Sequence, residues 1–160
     1  MLSGYQILAR LLFATILSGL IGFERESRGR AAGLRTHILV CIGSALAMLT
    51  SIYMFDMYRG VATVDPTRIA AQVITGVGFL GAGTILRSGA TVKGLTTAAS
   101  LWAVAGIGLA VGCGFYSAAV ISTVLVVVTL VVFSKMETAL ALKGDKSNEG
   151  MTYGAKRHKS

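Results

Sequence analysis

The residues of this chain that could do chemistry are a few charged side chains at or near the edges of long apolar segments. Glu24, Arg25 and Glu26 follow the first apolar segment, and Asp65 precedes the third. Asp65 followed by Pro66 predicts the start of the third helix, since an Asp side chain can accept from a free backbone N–H and proline suits the first helical position. Arg10 is the one charged residue within any of these segments. A charge at the centre of a membrane helix costs about 2.5 to 3.5 kcal/mol on insertion scales and often marks a functional position. Arg10 is therefore the first candidate for a functional residue.

No set of residues in the sequence is typical of an enzyme. There is no GxxxxGK[ST] run to cradle phosphates, and no nucleophile with a base and an orienting residue. The two histidines, His37 and His158, are too isolated to be metal ligands. Mg²⁺ prefers hard oxygen ligands such as carboxylates, and no apolar segment has an Asp or Glu in its middle. We expect no catalysis and no cofactor, although carbonyl oxygens at a break in the third segment could coordinate Mg²⁺ or another ion.

Arg10 lies near the start of the first apolar segment, where two arrangements could stabilise its charge. The side chain could extend to the membrane surface, or it could form an ion pair with Asp56 or Asp65 from the loop after the second segment. The ion pair is the preferred interpretation.

A second group of charges marks the turn between the first two segments. Glu24 and Arg25 stand where the first segment ends, and Arg35 and Thr36 where the second begins. An ion pair between Glu24 and Arg35 would close this hairpin. The alternative is an interfacial cluster of charges that only sets the orientation of the chain.

The third apolar segment is unusually rich in glycine. Each glycine weakens a helix by up to ~1 kcal/mol relative to alanine, so this many glycines need a reason. The glycines of this segment are Gly76, Gly78, Gly81 and Gly83. On a helical wheel Gln72, Gly76, Phe79 and Gly83 share one face. Tight packing against another helix and a groove for a small ligand both remain open.

The elements that carry these residues are predicted to be membrane helices. The chain has 160 residues, of which 54% are hydrophobic and 14% are charged, against roughly 25% charged in a soluble domain. About 20 apolar residues are needed to cross a bilayer. We predict an all-α bundle of five transmembrane helices at about residues 5–23, 38–55, 69–86, 95–111 and 115–134.

Basic residues predict the orientation of this bundle. An N-terminus outside the cell leaves only Arg10, Arg59 and Arg68 external among the fifteen Lys and Arg residues, in agreement with the positive-inside rule. The fourth segment, with its glycines and threonines, is the weakest candidate for a full span and could be re-entrant. Residues 144–160 form a predicted flexible, basic, cytoplasmic tail. The basic residues responsible for the net charge of +8 lie between the apolar segments, so this charge does not indicate binding to nucleic acid.

Three segments resemble the hallmarks of the MgtC/SapB family of membrane proteins: LIGFERESRGRAAGLRTH, DPTRIAAQVITGVGFLGAGTI and GLTTAASLWAVAGIGLAVG. The positions that match the first block are Arg10, Glu24, Arg25, Gly33, Arg35 and Thr36. Those that match the second are Asp65, Arg68, Gln72, Gly76, Gly78, Gly81 and Gly83. Those that match the third are Gly94, Thr96, Thr97 and Trp102. The resemblance assigns no chemistry to these residues, and we take them as structural or interaction residues.

The resemblance implies an inner-membrane protein of magnesium homeostasis and adaptation to low magnesium. In pathogens it also implies a role in virulence, and for some members inhibition of the F-type ATP synthase. Many members of the family that this chain resembles continue into a soluble cytoplasmic domain after the membrane helices.

Three functional hypotheses follow. The first is a homo-oligomeric regulator that modulates partner membrane proteins, such as the F-type ATP synthase. The second is a component of a transporter or channel for Mg²⁺ or another small ion. The third is a protein that binds anionic lipid headgroups through the arginines near Glu24, with an affinity that falls as salt rises.

Overall fold

The computed structural model describes residues 2–134, which fold into five helices and one short hairpin. These elements are α1 (Gly4–Ser27), α2 (Leu34–Tyr58), α3 (Thr67–Gly83), β1 (Leu86–Ser88), β2 (Thr91–Lys93), α4 (Leu95–Cys113) and α5 (Tyr116–Ser134). The helical architecture is confirmed. The tail predicted for residues 144–160 lies outside the described residues.

Four of the helices, α1, α2, α4 and α5, are long and apolar enough to cross a membrane. The exception is α3, which has 17 residues. At 1.5 Å per residue such a helix is about 25 Å long, shorter than a hydrocarbon core of about 30 Å. By length and composition the doubtful span is therefore α3, and not the fourth segment as expected. The number of spans and their orientation stay predictions.

The loop predicted after the third segment contains a β-hairpin. Strands β1 and β2 pair antiparallel, with Leu86 opposite Lys93 and Ser88 opposite Thr91. The third predicted span extended to Leu86, but α3 ends at Gly83, three residues earlier. Strands of three residues are too short to show the alternation that predicts a β-strand. This explains why the hairpin was missed.

Glycines with positive φ flank α4 at both ends. Gly94 precedes the helix with φ +92°, and Gly114 follows it with φ +89°. A Cβ atom on Gly94 would collide with the carbonyl oxygen of Thr84, which precedes the hairpin. Only glycine adopts this conformation at no steric cost, so Gly94 permits the hairpin to return directly into α4.

Close approach between helix backbones sets the packing of α2 on α4. A Cβ atom on Gly108 would clash with the carbonyl oxygen of Cys41, and one on Gly112 would lie 2.6 Å from the carbonyl oxygen of Ala45. Membrane helices gain contact area when small residues let their backbones approach. We call this contact between α2 and α4, at Gly108 and Gly112, the glycine seam.

Among the described residues, those up to Val127 form one compact unit. It contains α1 to α4, the hairpin and the first part of α5. All the contacts described below lie within this unit.

Candidate functional site

Buried charges gather where α1 ends, at the end of the bundle where α2 and α4 begin; we call it the basic end. Arg25 is 2% exposed and Glu24 is 9% exposed. The Glu24 carboxylate forms an ion pair with Arg28 at 2.5 Å and lies 3.6 Å from a guanidinium nitrogen of Arg25. Neither oxygen of Glu24 has an aligned hydrogen bond, and the Nε atom of Arg25 has none either. The basic end therefore holds a buried ionic cluster that is not fully satisfied by hydrogen bonds.

The expected ion pair between Glu24 and Arg35 is wrong, since Glu24 pairs with arginines of its own helix end. The hairpin between α1 and α2 is closed by Glu26, whose Oε2 atom accepts a hydrogen bond of 2.8 Å from the backbone N–H of Leu34. This carboxylate satisfies a free N–H at the start of α2, where a negative charge also favours the helix dipole. A Cβ atom on Gly33 would lie 2.7 Å from the same oxygen, which gives the matched Gly33 a steric role.

Arg35 and Thr36, which were site candidates from the sequence, are exposed in the first turn of α2. Together with Glu26 and Gly33 they line an open cavity of about 340 Å³. The structure thus brings these residues together, but around Glu26 and not around Glu24.

His37 lies beside this cluster and is fully buried. Its Nδ1 atom is 2.8 Å from the carbonyl oxygen of Gly33, and its Nε2 atom is 3.0 Å from the Oγ atom of Ser100 in α4. The Ser100 hydroxyl is in turn 2.8 Å from the carbonyl oxygen of Thr97. His37 was judged isolated from the sequence, and no local pattern links it to a serine 63 residues away.

The remaining candidates from the third block differ in their surroundings. Thr97 is 3% exposed and belongs to the His37 contacts. Thr96 is exposed, and Trp102 keeps 54% of its surface accessible. Neither of these two residues joins the buried cluster.

Arg10 is positioned at the opposite end of the bundle. Its guanidinium donates a hydrogen bond of 2.6 Å to the carbonyl oxygen of Gly112 and lies 6.0 Å from the ring centroid of Tyr116. The expected ion pair with Asp56 or Asp65 is therefore wrong. Arg10 instead holds the end of α4, and the ring of Tyr116 provides a cation–π contact.

Asp65 starts α3 much as the sequence predicted. Its Oδ1 atom accepts hydrogen bonds from the backbone N–H of Thr67 at 2.8 Å and from the Thr67 hydroxyl at 2.7 Å. These two bonds stabilise the carboxylate and hold the pKa of Asp65 below its usual value. The helix begins one residue after Pro66, so the proline stands at the cap and not in the first turn.

A cavity of about 490 Å³ opens beside this cap. Asp65, Arg68 and Gln72 are its charged and amide-bearing lining residues. Ser51 and Met54 of α2 contribute to the opposite wall. The structure thus brings three residues of the second matched block to one open pocket.

The glycines of α3 fall into two groups. Gly81 is buried, and a Cβ atom there would lie 3.5 Å from the Cβ atom of Ala98 in α4. Gly76, Gly78 and Gly83 have no neighbouring atom within 4 Å of that position. Phe79 is 82% exposed. Among the described residues, packing thus brings a neighbour to ordinary van der Waals distance at Gly81 and leaves the Cβ positions of Gly76, Gly78 and Gly83 open.

One of the open glycines, Gly76, borders an apolar groove between α2 and α3. Its volume is about 410 Å³, and its walls include Leu39 and Gly43 of α2 and Val73, Gly76 and Leu80 of α3. We call the surface formed by Gly76, Phe79 and Gly83, which share one side of the helix, the α3 face.

No metal centre is formed by the described residues. Between residues 2 and 134 no three His, Cys, Asp or Glu residues lie close enough to hold an ion together.

Four apolar helices of spanning length, with charges confined to the two ends of the bundle, define a multi-pass membrane protein in a lipid bilayer. The family is established by sequence comparison: the model of the MgtC family matches residues 11–139, and the chain belongs to that family.

Several relatives share close to half of their aligned residues with this chain. The "Putative magnesium transporter YhiD" of Escherichia coli K12 is 46% identical over 140 residues, which cover 86% of this chain and 65% of YhiD. The "Protein MgtC" of Brucella abortus is 46% identical over 119 residues, which cover 74% of this chain and 48% of that protein. The protein slr0014 of Synechocystis is 43% identical over 131 residues, 82% of this chain and 53% of its own length.

The chain thus spans between about half and two thirds of the length of these relatives. No solved structure matches it.

Proposed function

We propose that this protein acts in magnesium handling as a modulator of partner membrane proteins, and that it binds them through the α3 face. Membership of the MgtC family supports the link to magnesium, as does the name of the YhiD relative. The α3 face supports the mode of action. It is the single observation on which the proposal rests.

The argument compares glycines that packing explains with glycines that it does not. Gly22, Gly108 and Gly112 lie against neighbouring backbones, where any side chain would clash. Gly76 and Gly83 have open space around them, yet each weakens the helix by up to ~1 kcal/mol. In membranes, small residues are the positions at which a second helix approaches closely. Helix contacts from outside this chain would give these glycines the role that the fold does not.

The proposed partners are membrane helices. The F-type ATP synthase is the partner we propose first, as the family resemblance implies, and a second copy of this chain in a homo-oligomer would use the same kind of contact. We also propose an inner-membrane location with the N-terminus outside, regulation at low magnesium and, in pathogens, a contribution to virulence.

The experiment that tests this proposal places a bulky residue on the α3 face. Gly76→Leu should abolish photo-crosslinking to partner helices in native membranes and abolish growth support at low Mg²⁺, while the thermal stability of the purified protein does not fall. Gly106→Leu is the matched control, since Gly106 also has open space around it but lies on α4. Equal behaviour of the two variants in crosslinking would contradict the role of the α3 face.

The ATP synthase is tested separately. Inverted membrane vesicles with and without the protein should differ in ATP-driven proton pumping, and the Gly76→Leu variant should behave like vesicles without it. If crosslinking depends on Gly76 but pumping never changes, the face binds a different partner.

A second candidate function, transport of Mg²⁺ or another small ion, is favoured by one observation. The cavity of about 490 Å³ has the Asp65 carboxylate and the Gln72 amide on its wall, which are oxygen ligands of the type that Mg²⁺ binds. Arg68 on the same wall opposes a cation. Proteoliposomes with the purified protein should show Mg²⁺ flux that Asp65→Ala and Gln72→Leu reduce; absence of flux with Mg²⁺, Na⁺, K⁺ and H⁺ would exclude this candidate.

A further inference from the structure

The chain of contacts through His37 and Ser100 has one more contact than a neutral imidazole and the Ser100 hydroxyl can satisfy with hydrogen bonds. Three short contacts form a chain from Gly33 through His37 and Ser100 to Thr97, at 2.8, 3.0 and 2.8 Å. Each contact needs one hydrogen between its two heavy atoms. The carbonyl oxygens of Gly33 and Thr97 at the two ends can only accept. All the hydrogens must therefore come from His37 and Ser100.

The count of hydrogens depends on the protonation state of His37. A neutral imidazole carries one hydrogen and the Ser100 hydroxyl carries one, which makes two hydrogens for three contacts. Since Nδ1 faces the Gly33 carbonyl, it must hold the ring hydrogen, and Ser100 must then choose between Nε2 and the Thr97 carbonyl. An imidazolium supplies the third hydrogen at Nε2, so every contact becomes a hydrogen bond.

We propose that His37 is a proton-binding site at the basic end of the bundle. On acidification the ring takes a second proton at Nε2 and donates it to the Ser100 Oγ atom. The Ser100 hydroxyl hydrogen then moves from Nε2 to the Thr97 carbonyl oxygen. Protonation thereby reverses the direction of the hydrogen bond between α2 and α4 and adds the bond from Ser100 to Thr97 within α4, without moving any heavy atom.

The charged groups that face the ring come from α1. Glu24 and Arg25 act on it electrostatically with opposite signs, and Arg28 neutralises part of the Glu24 charge. On α4 the facing groups are the hydroxyl of Ser100 and the backbone of Thr97, neither of which is charged. A positive charge on His37 is opposed by burial and by Arg25, and it is favoured by the Gly33 carbonyl oxygen and by Glu24.

Packing fixes the ring where this exchange can occur. A Cβ atom on Gly22 would lie 3.1 Å from the Cβ atom of His37, so α1 presses directly on α2 at this position. Gly33, whose carbonyl oxygen contacts Nδ1 of the ring, also lines the open cavity of about 340 Å³. The ring is therefore held by α1 on one side and lies one residue contact away from an open cavity on the other.

The test reads the ring directly and does not depend on the proposed function. The sequence has two histidines, so His158→Gln leaves His37 as the single imidazole. Nitrogen-15 spectra of that imidazole in lipid nanodiscs should show Nδ1 protonated and Nε2 unprotonated at pH 8. Acidification toward pH 5 should protonate Nε2 while Nδ1 keeps its hydrogen. A ring that is protonated at Nε2 alone at pH 8, or that takes no proton before the protein unfolds, would overturn the proposal.

Ser100→Ala isolates the contribution of the hydroxyl. Without an acceptor for the new Nε2–H, the midpoint of the titration should fall by up to about one pH unit, because a hydrogen bond to a charged group is stronger than one to a neutral group. Ser44→Ala is the matched control: both serines are 3% exposed, and Ser44 bonds to Val40 within its own helix. An equal midpoint in the two variants would overturn the role of Ser100, and if Ser100→Ala does not fold, the ring tautomers of the parent chain decide.

Discussion

The guanidinium of Arg10 in α1 donates a hydrogen bond of 2.6 Å to the carbonyl oxygen of Gly112, 102 residues further along the chain. Gly112 lies in the last turn of α4, where backbone carbonyls have no partner within the helix. The positive charge also interacts favourably with the negative end of the helix dipole. A charge within a membrane helix thus serves as the cap of a neighbouring helix.

Removal of this cap should destabilise the bundle. Arg10→Leu is expected to lower the free energy of unfolding by about 1.5 to 3 kcal/mol, the usual range for a hydrogen bond to a charged group. Arg10→Lys should lose less, because an ammonium can still donate to the carbonyl. Thermal unfolding in detergent measures both, with exposed Arg59→Leu as the control. If the Arg10→Leu and Arg59→Leu variants unfold at the same temperature, Arg10 does not cap α4.

The glycine seam predicts a contrast within one helix. Gly108→Ala should cost about 1 to 3 kcal/mol, because the added methyl group collides with the Cys41 carbonyl of α2. Gly106→Ala should be neutral or should stabilise the helix by up to about 1 kcal/mol, since nothing lies within 4 Å of its Cβ position. The unfolding midpoints of the two variants, measured side by side, test this contrast. A loss of stability in Gly106→Ala as large as that in Gly108→Ala would show that the close approach at the glycine seam does not set the cost.

Helix positions were largely predictable from the sequence, because long apolar runs separated by polar breaks have few alternatives in a membrane. The predicted bounds of α4 differ from the observed helix by two residues at its end. The length of α3 was overestimated because Ile85 and Leu86 continue the apolar run into the hairpin. Hydropathy records apolar character but not where the backbone leaves the helix.

Partners of the site residues were not predictable to the same degree. The hydrogen bond from a free backbone N–H to Asp65 was predicted correctly, because its donor, Thr67, is only two positions away. The partners of Arg10 and His37 lie 102 and 63 residues away, and hydropathy does not tell which faces of two helices meet. Spacing therefore finds caps, whereas contacts between helices required the structure.

The buried ionic cluster at the basic end should be sensitive to its carboxylate. Glu24→Gln leaves Arg25 buried without its counter-charge, and removal of one partner of a buried ion pair costs roughly 3 kcal/mol. Glu26→Gln keeps an oxygen that can accept from the Leu34 N–H and removes only an exposed charge at the start of α2, so it should cost at most about 1 kcal/mol. Unfolding by heat in nanodiscs compares these two variants. A smaller loss of thermal stability for Glu24→Gln than for Glu26→Gln would mean that other groups balance the charge of Arg25.

Asp65 predicts how the start of α3 responds to pH. Two hydrogen bonds from Thr67 hold the pKa of this carboxylate below its usual value of about 3.9. A group with a lowered pKa stabilises the folded state above its unfolded value and loses that contribution as the pH falls through its folded value. The start of α3 should therefore be unchanged between pH 5 and 8 and should loosen only below about pH 4. Amide exchange in the first turn of α3, on a pH series, measures this.

The hydroxyl of Thr67 can be tested separately from its backbone N–H. Thr67→Val keeps the backbone bond but removes the hydroxyl, which is the larger cause of the lowered pKa. The pKa of Asp65, followed by carboxyl carbon-13 shifts, should rise toward its usual value in this variant. Thr63→Val is the control, since Thr63 lines the same cavity. Among the described residues, the hydrogen bonds to the Asp65 carboxylate come from Thr67. An equal rise of the Asp65 pKa in both variants would therefore mean that the polarity of the cavity, and not the bonds from Thr67, stabilises the charge.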